Sequence, residues 1–172
     1  MAEKNEYWMH DYRIFLDTAD VMQIKEAVST GLIDGVATNP NKIAQSGKSY
    51  QKIVREIREF FVGPIAVQAV GRTTEEVCAC ARKLHQIDPL LAIKITANQA
   101  GLAAVKILVP EGIRTNATLM FNPTQALLAA LAGSPFISPF INRANMAGGD
   151  GIEAIRKMRQ LLDAFALNKT NL

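Results

Sequence analysis

The chain has 172 residues, 49% apolar, 20% charged and 6% aromatic: enough for one soluble domain with a continuous core, and too apolar for disorder. Nineteen Lys plus Arg against sixteen Asp plus Glu leave a net charge of +3, spread without a basic block, so nucleic-acid binding has little support. His10, His85, Cys78 and Cys80 are all the histidine and cysteine present, little raw material for Ser-His-Asp hydrolysis, histidine-ligated zinc or a disulfide framework.

The predicted elements alternate between short β-branched runs and longer amphipathic ones. The opening stretch Met1 to Asp11 mixes charges with Tyr7 and Trp8 and lacks the apolar middle of a secretory signal. Ile14 to Thr18 reads as a strand and Asp20 to Thr30 as a helix capped by Asp20 or Thr18. Ile33 to Thr38 is a second strand, stopped by Pro40, and Ser49 to Phe61 a helix with Tyr50, Ile53, Val54 and Ile57 on one face. Ile65 to Val70 follows the Gly63-Pro64 break as a third strand, and Thr73 to Ile87 opens a helix with a capping box. Cys78 and Cys80 lie on this helix, roughly 200° apart, as small core or boundary residues.

Leu90 to Thr96, Arg114 to Met120 and Phe136 to Phe140 are the next strands. The helices between and after them run Gln99 to Val109, Pro123 to Ala132 and Gly151 to Leu167. The glycine-rich Gly148-Gly149-Asp150-Gly151 offers an anion site at the start of the last helix. Asn168 to Leu172 reads as a polar tail with no further strand. Six βα units in series imply a parallel sheet covered by helices. No dinucleotide or Walker loop follows a strand, and a β/α barrel needs eight units, about two more than are present. No apolar run approaches the ~18 residues of a membrane helix, and free cysteines without a signal point to the cytoplasm.

Polar residues collect where the predicted strands end, which is where barrel active sites are built. They are Asp17, Thr38, Asn39, Gln68, Lys94, Asn116, Thr118 and Ser138, with Arg143 just beyond. Lys94 is flanked by Ile93 and Ile95, a costly place for an ammonium ion, and a neutral ε-amine is the nucleophile that forms a Schiff base with a ketone. Equally, such a lysine can pair with Asp17 or snorkel from the strand end. Asp17 suits the base that deprotonates a hydroxyl beside a breaking carbon–carbon bond, or a helix cap. Gln68 and Thr118 can hold a proton-shuttling water or bond to neighbouring backbone. Asn116 and Ser138 suit sugar hydroxyls, Asn39 also suits a turn, and Arg143 suits an oxyanion or plain surface.

The segments Ile14 to Asp20, Asp34 to Pro40, Ala92 to Ile95 and Thr115 to Phe121 resemble the transaldolase family. So do Gln125 to Ala130 and Ile137 to Arg143. The match is to the small transaldolase and fructose-6-phosphate aldolase subfamily, over about residues 13 to 167.

The resemblance implies a single (residues 1 to 172) class I aldolase-type TIM β/α barrel domain with about six βα units present, residues 1 to 12 being an extension. It implies a metal-independent, cofactor-free enzyme with a sugar-phosphate or similar anionic ketose substrate; a homo-oligomer is expected, and charge and hydropathy give no nucleic-acid or membrane partner. Lys94 matches the Schiff-base lysine, Asp17 the acid/base carboxylate, and Gln68 with Thr118 the pair that positions water. Thr38, Asn39, Asn116, Ser138 and Phe140 fall among the substrate-binding positions, and Arg143 matches a phosphate-binding arginine. Gln68 is typical of the aldolase branch and Phe140 of the transaldolase branch, so transfer and cleavage both stay open. Thr96 stands where a Pro commonly follows Lys-Ile. The family continues through two further units, which makes this chain a fragment, a barrel completed by another chain, or a rearranged fold; of a stable open monomer and an obligate oligomer, the oligomer is expected. A non-catalytic barrel subunit is the alternative of another class.

Overall fold

The computed structural model describes residues 14–172 as two compact units, the first ending at Gln68 and the second running from Ala69 to Leu172. The readings made on residues 1–13 lie outside the described residues.

The first unit contains β1 (Phe15–Asp17), α1 (Val21–Ser29), β2 (Gly35–Ala37), α2 (Pro40–Ser46), α3 (Tyr50–Arg58) and β3 (Ile65–Gln68). β1 pairs with β2 and β2 with β3, both parallel, with Asp17 opposite Ala37 and Ala37 opposite Ala66. Asp20 caps α1 through Oδ1, which accepts from the amides of Met22 and Gln23 at 2.9 and 3.2 Å, a cap of the kind worth about 1 kcal/mol. The sequence reading placed only a stop at Pro40. Instead Pro40 opens α2 as its first residue, because its missing N–H costs nothing there, while Asn39 caps the helix and Gly47 closes it in the left-handed region. Ile24, Ile43, Ile53, Val54 and Ile57 from the helices bury with Val36 and Ile65 from the strands to form this unit's core.

The second unit contains α4 (Thr74–Ile87), β4 (Ala92–Thr96), α5 (Gln99–Leu108), β5 (Thr115–Met120), α6 (Pro123–Leu131), β6 (Phe136–Pro139), α7 (Ile141–Met146) and α8 (Gly151–Ala164). The expected capping box at α4 is present: Thr73 caps the Glu76 amide and Glu76 reaches back to the cap. Strands β4, β5 and β6 pair in parallel. Ala117, Met120, Ile137, Met158 and Leu162 bury together with the small residues Ala126 and Ala129 of α6. Those alanines let α6 approach its neighbours closely, since a methyl group is the largest thing its buried face presents.

Three sequence expectations change here. A separate short helix, α7, precedes α8. The start of α8 is already satisfied by protein acceptors rather than left for an anion: Asp150 Oδ1 accepts from the Glu153 amide and Asn145 Oδ1 from the Gly151 amide, at 2.9 and 2.8 Å. The tail read as polar and strandless forms an isolated parallel bridge, Asn171 against Phe136. The Ile137 amide donates to the Asn171 carbonyl at 2.9 Å, and the buried Thr170 hydroxyl donates to the Ser134 carbonyl at 3.1 Å.

Cys78 and Cys80 are free thiols on α4, and burial pushes the Cys78 thiol up from its ordinary range. No helix among the described residues is long and apolar enough to cross a membrane.

Gly101 in α5 sits so close to the end of β4 that a Cβ there would lie 1.9 Å from the Thr96 carbonyl oxygen. Gly101→Ala is expected to cost about 1–3 kcal/mol in urea denaturation, because backbone rather than a flexible side chain has to move. On the surface, Arg82 donates twice to Glu111, at 2.8 and 2.5 Å, and holds its carboxyl below the ordinary range. A carboxylate depressed by folding adds stability above its unfolded pKa of ~4.3 and loses it as the pH falls. The melting-temperature gap between wild type and Arg82→Met is therefore expected at neutral pH and to close under acid conditions, as thermal unfolding across pH would read.

Candidate active site

Strand alternation sorts the second unit's polar residues onto one face. Lys94 lies opposite Asn116 and Thr96 opposite Thr118, while Thr118 lies opposite Ser138. Lys94, Asn116, Thr118 and Ser138 therefore share a face, and Ile93, Ile95, Ala117 and Ile137 share the other. That second face is buried against helices, each of those four residues being at most 3% exposed. Lys94 is itself 9% exposed between Ile93 and Ile95, so this ammonium stem is held in the sheet rather than extended into water.

The shared face is hydrogen-bonded within itself. Ser138 Oγ donates to Asn116 Oδ1 at 2.8 Å, and Thr118 Oγ1 donates to the Ser138 carbonyl at 3.1 Å. These bonds set polarity. The Asn116 carbonyl oxygen is engaged and its amide nitrogen keeps donor capacity, and the Thr118 hydroxyl, its proton engaged as a donor, keeps acceptor capacity on its oxygen.

Leu119 makes this possible by breaking the strand's period. Its φ is +58°, in the left-handed region, and the pairing register shifts between Thr118 and Met120. The extra residue is a β-bulge. Without it Met120 would follow Thr118 onto the polar face; with it Met120 joins Ala117 in the buried core. The Ala97 amide donates to the Thr118 carbonyl at 2.7 Å. Gln125 spans the same ends, accepting from the Phe121 amide and donating to the Ala97 carbonyl. Beyond β6, the Arg143 guanidinium lies 4.9 Å from the centre of the Phe140 ring, which is tilted against Phe121 with centroids 6.3 Å apart.

The first unit carries the other predicted residues. Asp17, Ala37 and Ala66 are in register, and Gln68, two residues past Ala66, falls on the same face. Thr38 falls on the opposite face with Val36; it is fully buried, and its hydroxyl donates to the Ala66 carbonyl at 3.0 Å. Asn39 Oδ1 accepts from the Lys42 amide at 3.0 Å as the cap of α2. Asp17 is paired, though with a lysine that sequence reasoning did not single out: Lys42 Nζ lies 3.2 Å from Asp17 Oδ2 and also donates to the Asp17 carbonyl. Nothing in the linear spacing marks a partner 25 residues away, because Lys42 reaches Asp17 from the third position of the short helix α2.

No group of three or more potential ligands among the described residues could hold a metal ion. The second unit offers an amine on a buried strand with amide and hydroxyl groups beside it; the first unit, taken by itself, carries a carboxylate at the end of β1.

Residues 14–172 match the family model described as transaldolase/fructose-6-phosphate aldolase. Among curated relatives, a probable transaldolase of Desulforudis audaxviator is 46% identical over 154 residues, which is 90% of this chain and 72% of that protein. One from Dictyoglomus turgidum is 42% identical over 89% of this chain and 72% of its own. Crystal structures of mandelate oxidase, at 12% and 11% identity, superpose with TM-scores of 0.58 and 0.57 over 92% and 94% of this chain. The chain spans only 59% and 60% of those solved chains, and at such low identity the likeness concerns the fold alone.

The β5 bulge has a direct test. In Leu119→Gly, relief of the ~1–2 kcal/mol left-handed penalty is expected to offset glycine's entropy, leaving stability within about 1 kcal/mol of wild type. Leu119→Val is expected to lose ~2 kcal/mol or more, because a β-branched residue tolerates that region worst. Urea denaturation of the pair measures both.

Proposed function

Because the chain belongs to the transaldolase/fructose-6-phosphate aldolase family and has its α/β fold of parallel strands and covering helices, we propose that it is a Schiff-base enzyme that moves or releases a three-carbon dihydroxyacetone unit from a ketose phosphate. The observation that carries this reading is Lys94, buried on a strand between isoleucines and in register with Asn116.

In this reading the Lys94 amine condenses with the ketone carbonyl of fructose 6-phosphate, releasing water and leaving an iminium. Asp17 takes the proton of the hydroxyl on the fourth carbon. The bond between the third and fourth carbons breaks, its electron pair passes to the iminium nitrogen, and an enamine remains on Lys94 as glyceraldehyde 3-phosphate departs. An acceptor aldehyde then takes the unit in a transferase, or a proton does in an aldolase. Gln68 and Thr118 hold the water that imine formation and hydrolysis exchange. Asn39, Asn116 and Ser138 bind the donor's hydroxyls, and Arg143, stacked on Phe140, binds the phosphate or a comparable anion such as a sulfonate. Thr38 contributes by fixing the β2 end through its bond to Ala66. No cofactor or metal enters these steps. The same reading places the protein in the cytoplasm, in carbohydrate metabolism of the pentose phosphate kind, as a homo-oligomer.

Borohydride reduction in the presence of dihydroxyacetone is expected to fix a stable adduct on the peptide containing Lys94, seen by intact and peptide mass. Lys94→Met is expected to abolish both the adduct and turnover. A well-folded wild-type protein that traps nothing would sink the enzyme reading in favour of a non-catalytic barrel subunit.

A further inference from the structure

We propose that Lys42 is a positioning residue for Asp17, a role that rests on the Schiff-base reading above and extends it to a residue outside the predicted site. Two hydrogen bonds and an ion pair carry the proposal. Asn39 at the end of β2 caps α2, and its Oδ1 accepts the Lys42 amide at 3.0 Å, so the lysine's backbone is fixed at the first turn of the helix. From there Lys42 Nζ reaches across to β1, where it lies 3.2 Å from Asp17 Oδ2 and donates to the Asp17 backbone carbonyl. An ammonium has three donors; one is given to the Asp17 main-chain carbonyl, while its charge pairs with the same residue's carboxylate.

The need for such a grip follows from where Asp17 sits. Its side chain is 63% exposed, at the last position of a three-residue strand. A carboxylate there is otherwise free to rotate among staggered conformers in water. A base that must meet one hydroxyl proton acts only from the conformer aimed at it, and misplacement by about an ångström can cost ~100-fold in rate. Lys42 selects one conformer without touching the reacting atoms. It neither gives nor receives a proton: the hydroxyl proton passes to Asp17, and the electrons of the breaking bond pass to the Lys94 iminium. Because Asn39 fixes the lysine that fixes Asp17, two of the predicted site residues form one connected unit through a residue that neither strand contains.

The test is single-turnover release of glyceraldehyde 3-phosphate from fructose 6-phosphate, with thermal unfolding as the folding control, in wild type, Lys42→Met and Lys42→Arg. Lys42→Met keeps the aliphatic stem and is expected to slow release about tenfold, with half-saturation by fructose 6-phosphate changed less than about threefold. Endpoint trapping of dihydroxyacetone on Lys94 is expected to match wild type, because the amine is untouched. Lys42→Arg, which keeps the charge and the donors, is expected to recover most of the rate. A raised half-saturation with an unchanged rate would overturn the proposal and make Lys42 a substrate contact. An unchanged rate and half-saturation would overturn it by showing the pair to be idle. Failure of the wild type itself to trap dihydroxyacetone would remove the underlying Schiff-base reading, and the proposal with it.

Discussion

A parallel strand shows its successive side chains to opposite sides, and the separation of polar from apolar residues in this protein depends on that alternation being kept in register from strand to strand. Ile93 and Ile95 point one way into a dry core, so Lys94 between them has to point the other. The same rule, carried across two ladders, places Asn116, Thr118 and Ser138 beside it. The hydrophobic effect thus does the positioning. The isoleucines cannot leave the helix-facing side without exposing their surface, and a slip of one residue would bury the lysine among helices.

The alternation holds only up to Thr118, and the way it fails is instructive. Leu119 occupies a conformation that leucine rarely adopts, and its cost is met by what it allows: Met120 returns to the core and Thr118 stays on the polar face. Strain at a strand end and a polar face beside it have one cause here, the conflict between filling the core and keeping Thr118 on the polar face. The carbonyl of Thr118 remains tied to the Ala97 amide, so the bulge is anchored on the side of the β4 end.

In the first unit the ends of the strands are organised by a helix rather than by a ladder. Asn39 reads from sequence as a turn residue, and from the family resemblance as a substrate contact; in the structure it caps α2. Thr38, next to it, turns to the opposite face and is consumed by a backbone carbonyl. Adjacent residues in one short motif are therefore divided between an interior bond and a helix cap, a division that two-residue periodicity makes unavoidable.

What the sequence determined by itself was the order of the six strands with the longer helices between them and the residues at the strand ends, but not the short helices α2 and α7. Apolar periodicity locates each of the six strands to within two residues at either end. The Asp20 cap and the Thr73–Glu76 capping box were equally legible, because a cap is a contact between near neighbours in the chain. Lys94 was legible because a charge inside an apolar run violates a local pattern. The tertiary structure alone decided the pairing of Lys42 with Asp17, the return of Asn171 to the edge of β6 and the bulge at Leu119. The first two join residues more than twenty positions apart, and the third settles a competition between two faces of a sheet. No local pattern records such contacts, since they exist only once the strands have been brought side by side.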